Sequence, residues 1–267
     1  PASKSYSIAT VGCNFKCEFC QNHDISQMPA ATRMIAGEDF LPEEIVARAK
    51  KSRARTIAYT YTEPTVYFEL ALETAKIAAE NGLANVFVTN GFMTAETIET
   101  IAPYLAAANV DLKSFRDAFY KKYCGARLDP VLESLKKMKD LGIWVEITTL
   151  LIPGLNDSDE ELRDVARFIA GLGRATPWHI SRFHPQYKMR NLPVTPLDSL
   201  HRAVQIGRET GLKYVYSGNV PGDDGENTRC FHCGKLLIER YGFQVVNLNL
   251  KDKSCPHCGT GLEGVFS

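Results

Sequence analysis

The sequence lacks an excess of either charge, because 31 lysine and arginine residues balance 31 aspartate and glutamate residues over 267 positions. A protein dedicated to nucleic acids or to membrane surfaces usually carries a basic surplus, so this balance argues against both classes. The sequence also lacks an apolar run of membrane-spanning length. We therefore expect neither nucleic acid nor a membrane among the partners of this chain.

The sequence also lacks cysteines spread singly along the chain, because most of its cysteines are clustered. Seven of the eight fall into three short groups, which are Cys13/Cys17/Cys20, Cys230/Cys233 and Cys255/Cys258. In a large chain where we expect no secretion signal, such groups are typical of metal ligands rather than disulfides, and they predict a reducing, cytoplasmic setting. The eighth, Cys124, is interpreted as a packing residue, because free cysteine is among the most buried residue types.

The chain has no dinucleotide-binding glycine fingerprint, but it alternates strand and helix patterns. Runs rich in β-branched and aromatic residues predict strands at 5–11, 56–61, 85–90, 109–114, 144–152, 178–183 and 213–218. Helical patterns lie between most of them, at 42–52, 65–82, 95–108, 130–142, 159–173 and 196–211. Repeated β-α units require a parallel sheet with helices outside, so we predict an α/β fold with a full or partial barrel.

Polar residues follow several of the predicted strands. They are the cysteine loop 13–20, Thr62-Glu63, Thr89-Asn90, Asp111 with Lys113, and His184. Because chemistry in such folds gathers at the C-terminal ends of the strands, we expect these residues to surround one opening.

The composition changes at a Gly/Asp-rich link near residue 222, which predicts two domains, 1–222 and 223–267. Within the second, Cys230-x-x-Cys233-Gly and Cys255-x-x-Cys258-Gly flank a predicted hairpin at 236–250. This pattern is shared by zinc ribbons and rubredoxins, and we favour structural zinc over iron in the closed site. A substrate-docking lobe and an iron centre that passes electrons remain alternatives.

The loop with Cys13, Cys17 and Cys20 offers three thiols where iron–sulfur clusters normally have four. Three thiolates can hold three corners of a 4Fe–4S cubane and leave one iron open to a small molecule. The alternatives are a zinc site completed by His23 and a cluster completed by a distant cysteine.

The CxxxCxxC spacing, with the aromatic Phe19 before the last cysteine, resembles the radical S-adenosylmethionine (radical SAM) superfamily. The resemblance implies that the open iron binds the methionine moiety of S-adenosylmethionine (SAM). An electron from the cluster then cleaves SAM and releases a 5′-deoxyadenosyl radical.

Further motifs are similar to that family. Residues 61–64 (Tyr-Thr-Glu-Pro) resemble its GGEP motif with both glycines replaced, 88–91 match its third-strand motif, and 110–113 resemble its DLK motif. The resemblance implies a SAM site at Phe19, Thr62, Glu63, Pro64, Asn90, Asp111, Lys113 and His184. Glu146 and Thr148 share one face of the fifth strand and are weaker catalytic candidates.

Longer segments, such as CQNHDIS, CGARLDPVL and TTLLIPGLND, resemble segments of AmmeMemoRadiSam-system radical SAM enzymes and of pyruvate formate-lyase activating enzyme. This resemblance implies a partial (β/α)6 TIM-like barrel with a small zinc-ribbon or rubredoxin-like module. It also implies an oxidoreductase of the activase type, with flavodoxin or ferredoxin as reductant and a glycyl-radical protein as substrate. Another protein residue, a small metabolite, or a non-catalytic metal-binding adaptor remain alternatives.

Overall fold

The computed structural model describes residues 3–242 and 244–265, which form a large parallel sheet and a small antiparallel one. In the large sheet each strand pairs with the next one along the chain. Its strands are β1 (Ser5–Ile8), β2 (Thr56–Tyr59), β3 (Ala84–Thr89), β4 (Leu105–Asp111), β5 (Trp144–Leu151), β6 (Trp178–Arg182) and β7 (Val215–Gly218). Because β1 and β7 form opposite edges of this sheet, the predicted α/β partial barrel is confirmed, with a seventh strand beyond six units.

Helices lie between the strands, and several of the longer ones pack on the sheet. They are α1 (His23–Ser26), α2 (Met28–Thr32), α3 (Pro42–Lys51), α4 (Phe68–Glu80), α5 (Ala95–Ile101), α6 (Asp117–Phe119), α7 (Asp129–Asp140), α8 (Asp159–Leu172) and α9 (Leu197–Glu209). Strand β5 shows the layering, since Val145 and Ile147 are fully buried while Glu146 and Thr148, which alternate with them, are half-buried. The outward side chains therefore pack in the core, and the inward ones line the barrel interior.

The predicted helix at 95–108 is wrong in its second half. Helix α5 ends at Ile101, a 3₁₀ turn covers Ala102–Tyr104, and β4 begins at Leu105. Alanine favours helices, but Ala107 and Ala108 hydrogen-bond between β3 and β5, and this pairing outweighs their local preference.

The small sheet has the order β10-β9-β8, with β8 at Thr228–Arg229, β9 at Leu236–Tyr241 and β10 at Gln244–Leu248. Strands β9 and β10 pair antiparallel, which confirms the predicted hairpin. A small core of Cys230, Leu237, Ile238 and Cys255 lies beneath them. The domain boundary after residue 222 falls between β7 and β8 and stays a prediction.

The four-cysteine module, which comprises residues 223–265, packs against the last strand of the barrel. The Tyr214 hydroxyl donates to a Glu263 carboxylate oxygen at 2.8 Å, and the Phe231 ring lies edge-on to Tyr214. The Arg240 guanidinium lies 5.7 Å from the ring centroid of Tyr216, a β7 side chain on the inner face. None of the helices in the described ranges combines the length and apolar character that a membrane span requires.

Candidate active site

A cavity of about 260 Å³ lies at the C-terminal ends of the barrel strands. Ten of the residues predicted from sequence line it together: Cys13, Cys17, Phe19, Cys20, Thr62, Glu63, Asn90, Asp111, Lys113 and Thr148. The structure therefore brings the cysteine loop and the polar strand ends to one opening, as the strand order requires.

The cysteine loop runs from the end of β1 to α1 and buries its thiols to different degrees. Burial raises the pKa of Cys13 to about 12 and also raises the pKa of Cys20. The Cys13 sulfur accepts a hydrogen bond from the Phe15 amide at 3.4 Å. Protonated thiols do not bind metals, so metal binding here would displace these protons. Three thiols on one cavity, with an amide donor to one sulfur, fit a cluster held at three corners.

Glu63 follows β2 and holds the ends of β2 and β3 together. Its carboxylate accepts hydrogen bonds from the Thr89 hydroxyl at 2.7 Å, the Asn90 amide at 2.8 Å and the Thr65 hydroxyl at 3.0 Å. The residue is 1% exposed, and burial raises its pKa although these hydrogen bonds oppose the rise. The Glu63 carboxylate is thus already hydrogen-bonded within the protein, and these bonds fix the shape of the cavity wall.

Asn90 connects this wall to the cysteine loop. Its side-chain amide donates to the Asn14 carbonyl oxygen at 2.6 Å and lies 3.8 Å from the Cys13 sulfur. Its own carbonyl oxygen accepts the Phe92 amide at 2.9 Å. These contacts fix the first cysteine of the loop relative to β3.

Asp111 and Lys113 face the same side at the end of β4, as predicted. The Lys113 ammonium lies 2.9 Å from the Asp111 carboxylate, with side-chain exposures of 13% and 38%. Burial alone would lower the pKa of Lys113, but the charge of Asp111 and its hydrogen bond to Lys113, with negative charge on Cys17 and Cys124 when they ionise, raise it well above its ordinary value. Lys113 therefore keeps its positive charge inside the cavity, where it can bind an anionic group.

Two residues of the cavity wall have left-handed backbones without being glycine. Tyr61 has φ +65° and Asn219 has φ +59°. Asparagine tolerates this conformation, but a tyrosine in it is strained, and such strain concentrates at functional sites. The Tyr61 carbonyl accepts a hydrogen bond from Asn22 at 2.9 Å, and its side chain is 57% exposed.

Three of the predicted residues lie outside the cavity lining. Pro64 is buried at the start of a 3₁₀ turn, and the His184 side chain is exposed to solvent. Glu146 lies one layer below Thr148 inside the barrel, where it contacts His179 at 2.7 Å and Trp144 at 3.0 Å. The Glu146 pKa is lowered, because the hydrogen bond and charge of His179 outweigh the opposing effect of burial.

Sequence reasoning missed several residues of the wall, including Asn22, Ser26, Ser181 and Asn219. Ser181 and Asn219 lie at the ends of β6 and β7, so the rule for polar residues after strands could have found them. Asn22 and Ser26 follow the last cysteine, and the cysteine spacing gives no signal for them.

The second cysteine cluster forms a compact four-thiol centre. The sulfur atoms of Cys230, Cys233, Cys255 and Cys258 all lie within 4.8 Å of one another. Two sulfur–sulfur distances are 3.6 Å, between Cys230 and Cys258, and 3.7 Å, between Cys233 and Cys255. A tetrahedral ion with metal–sulfur bonds of about 2.3 Å places its sulfurs roughly 3.8 Å apart, so the thiols fit such an ion.

The model of the radical SAM superfamily matches residues 7–169, more than half of the chain. The chain belongs to the radical SAM superfamily. An uncharacterized protein of Methanocaldococcus jannaschii is 47% identical over 269 residues, covering 100% of this chain and 79% of that protein. Pyruvate formate-lyase 1-activating enzyme of Escherichia coli is 21% identical over 238 residues, covering 88% of each chain.

Among solved structures, Streptococcus suis SuiB bound to S-adenosylmethionine superposes with a TM-score of 0.63 and 17% identity. The match covers 80% of this radical SAM chain and 50% of that one, and at this identity it shows the shared fold. Family membership makes the chain an enzyme, and it implies a 4Fe–4S cluster and SAM as cofactors. The three cavity thiols supply a donor set that suits such a cluster.

Proposed function

We propose that this radical SAM enzyme cleaves SAM reductively and abstracts a hydrogen atom from a protein substrate, as an activase does. When bound, the cluster and SAM together supply the electron and the 5′-deoxyadenosyl radical for this chemistry. The single observation that carries the proposal is that Cys13, Cys17 and Cys20 share one cavity with the Lys113–Asp111 ion pair.

Different residues of the chain would bind the cluster and SAM. Cys13, Cys17 and Cys20 would hold the cluster, and Lys113 with Asp111 would bind charged and hydroxyl groups of SAM. The Lys113 Nζ atom also lies 5.8 Å from the ring centroid of Phe19, which is buried beside the last cysteine. These apolar and charged walls would keep water away from the radical.

The names of relatives that act on a protein support a protein substrate for this enzyme. The activating enzyme of E. coli aligns along most of both chains, and it is named for acting on pyruvate formate-lyase. We therefore infer a glycyl-radical protein, with a backbone glycine as the hydrogen donor. Flavodoxin or ferredoxin would deliver the electron, and zinc would occupy the four-cysteine centre as a structural ion.

The first test measures 5′-deoxyadenosine after anaerobic reconstitution, reduction with dithionite and addition of SAM. Wild-type protein forms 5′-deoxyadenosine. The rate for Cys13→Ala is at least a hundredfold lower, because one corner of the cluster has no ligand. Val165→Ala, which removes buried atoms of α8, is the control for lost stability and retains the product. Equal rates for Cys13→Ala and wild type would refute the proposal.

The second test addresses the substrate. Incubation of the reduced enzyme and SAM with a candidate glycyl-radical protein should yield a glycyl radical in the electron paramagnetic resonance (EPR) spectrum. If 5′-deoxyadenosine forms while several such proteins show no radical, the activase assignment fails and the SAM chemistry stands.

A further inference from the structure

The cysteine loop has one side on the cavity and another at the protein surface. Cys17 lines the cavity and is 7% exposed, whereas its sequence neighbours Lys16 and Glu18 do not line the cavity. Lys16 is exposed and Glu18 is half-buried. The surface therefore lies one residue from Cys17, a separation of about 3.8 Å between Cα atoms.

Two further segments of the chain pack against this outer side of the loop. The Lys16 amide donates to the Cys124 carbonyl at 2.8 Å, and the Glu18 amide donates to the Tyr123 carbonyl at 2.9 Å. The Lys188 amide donates to the Glu18 carbonyl at 3.0 Å. These backbone hydrogen bonds hold both segments against the part of the loop that carries Cys17.

We call this surface the rear face, and it comprises Lys16, Glu18, Lys121, Lys122, Tyr123 and Lys188. Lys121 is paired with Asp117, whose carboxylate lies 2.7 Å from the Lys121 ammonium. The other three lysines are exposed, and over the described ranges none of them forms a salt bridge. They share the rear face with one carboxylate, that of Glu18. The rear face thus has an excess of positive charge on a chain whose total charge is zero.

Two of these lysines lie over tyrosine rings. The Lys122 Nζ atom is 4.8 Å from the ring centroid of Tyr123, and the Lys188 Nζ atom is 5.3 Å from that of Tyr187. An ammonium in this position is attracted by the face of the ring. The positive charge is therefore kept close to the backbone around Cys17, where an approaching anionic surface would meet it.

The position of this charge suits a protein that delivers electrons. SAM would occupy the cavity side of the cluster, so a protein donor needs another approach, and the rear face offers one within a residue of Cys17. Complementary charge speeds the encounter of two proteins and orients them, and the resulting rate falls as salt is added. A positive rear face therefore selects a partner with an acidic surface.

We propose that the rear face docks an acidic one-electron carrier protein of the flavodoxin or ferredoxin type, whose electron enters the cluster beside Cys17. One electron leaves the reduced carrier, which is thereby oxidised by one electron, and lowers the charge of the cluster by one unit. No proton or chemical group is transferred. The docking rests on the proposed function, because it requires a cluster at the loop.

The test compares protein reductants with a small one on the anaerobically reconstituted full chain. Lys122→Glu/Lys188→Glu reverses two charges of the rear face. Lys4→Glu/Lys51→Glu is the matched control, since both residues are exposed and precede β1 and β2 at the opposite ends of the strands. Reduced flavodoxin, reduced ferredoxin and excess dithionite drive 5′-deoxyadenosine formation in separate assays. Calorimetric titration with each oxidised carrier measures its affinity for the chain.

We expect Lys122→Glu/Lys188→Glu to lower the carrier affinity and the carrier-driven rate at least tenfold at low salt. Its dithionite-driven rate and iron content should match wild type, and the control variant should match wild type in every assay. The carrier-driven rate of wild type should fall as salt rises from about 0.05 to 0.5 M, because screening shortens the reach of the charges. The rate of the rear-face variant should depend less on salt.

Equal affinities and carrier-driven rates for wild type and Lys122→Glu/Lys188→Glu overturn the docking proposal, and so does an equal loss in the control variant. A wild-type chain that turns over with dithionite but binds neither carrier also overturns it, while the proposed function stands. A wild-type chain that forms no 5′-deoxyadenosine with dithionite refutes the proposed function itself, which distinguishes the two failures.

Discussion

At the residue scale, Tyr61 has a backbone conformation that suits glycine better than tyrosine. The GGEP motif that residues 61–64 resemble has glycine at this position, and the backbone of Tyr61 is left-handed with φ +65°. A tyrosine pays a conformational penalty in this region that glycine does not. Because the ring is mostly exposed, packing contributes little to offset that penalty.

Tyr61→Gly should therefore raise the free energy of unfolding. Relief of strain gains about 1–3 kcal/mol, and the extra freedom of glycine in the unfolded chain removes roughly 0.5–1 kcal/mol of that gain. We expect a net gain of about 1 kcal/mol, measured by urea denaturation of the apoprotein. Tyr61→Ala is the matched control, because its Cβ keeps the strain and no gain is expected. A less stable Tyr61→Gly variant would contradict this interpretation.

Predictions for single residues succeeded where they depend on nearby sequence and failed where they depend on distant parts of the chain. The spacing of Cys13, Cys17 and Cys20 predicted a shared cavity wall, because three residues on one short loop must lie near one another. The partners of Glu63 could not be predicted, since Thr89 and Asn90 belong to a different strand end. His184 was expected at the opening; its side chain is exposed and lies outside the cavity lining, and its contact with SAM stays a prediction.

At the element scale, the end of β3 is packed so closely that only glycine fits at position 91. Gly91 has φ +73°, and a Cβ atom there would lie 2.6 Å from Val110 Cγ1 and 3.2 Å from Val131 Cγ1. The close contact brings β3, β4 and α7 together behind Asn90. The same packing thus sets the position of the amide that contacts the cysteine loop.

Gly91→Ala should destabilise the fold by roughly 3 kcal/mol, the sum of backbone strain and overpacking. Gly82→Ala is the matched control, since Gly82 has φ +72° and a Cβ atom there would meet no other atom within 4 Å. It should lose only about 1 kcal/mol, from strain alone. Urea denaturation of both variants measures the difference, and equal losses would show that the contact at Gly91 is unimportant.

The sequence predicted the positions of the strands well and the helix ends less well. Every strand of the large sheet lies within or overlaps a predicted run, because β-branched and aromatic residues mark buried parallel strands. The alanines at 106–108 misled the helix prediction, since their strand state depends on neighbours that local propensity does not contain.

At the scale of the whole molecule, the barrel and the four-cysteine module have separate thiol sets. The module contacts Tyr214 through Phe231 and Tyr216 of β7 through Arg240, while the cysteine loop lies at the C-terminal ends of the strands. The two metals should therefore be separable by mutation. A module of this size has little core of its own, so we expect an ion at the four thiols to contribute much of its stability.

Cys258→Ala should reduce the zinc content from one ion per chain to near zero. The iron and sulfide contents and the rate of 5′-deoxyadenosine formation should stay within about threefold of wild type, because zinc sites of this type are structural. Cys13→Ala should show the reverse pattern. Metal analysis of both variants, with activity measured alongside, checks the prediction. Iron in the four-cysteine centre, or a tenfold activity loss in Cys258→Ala, would favour an electron-transfer role for the module.

The most direct measurement of the central claim is the EPR spectrum of the reduced, reconstituted wild-type chain before and after SAM is added. If three cysteines hold the cluster and one iron is left for SAM, the spectrum of the reduced cluster changes when SAM binds. A cluster spectrum that SAM leaves unaltered, or a reconstituted chain without any such spectrum, would contradict the account.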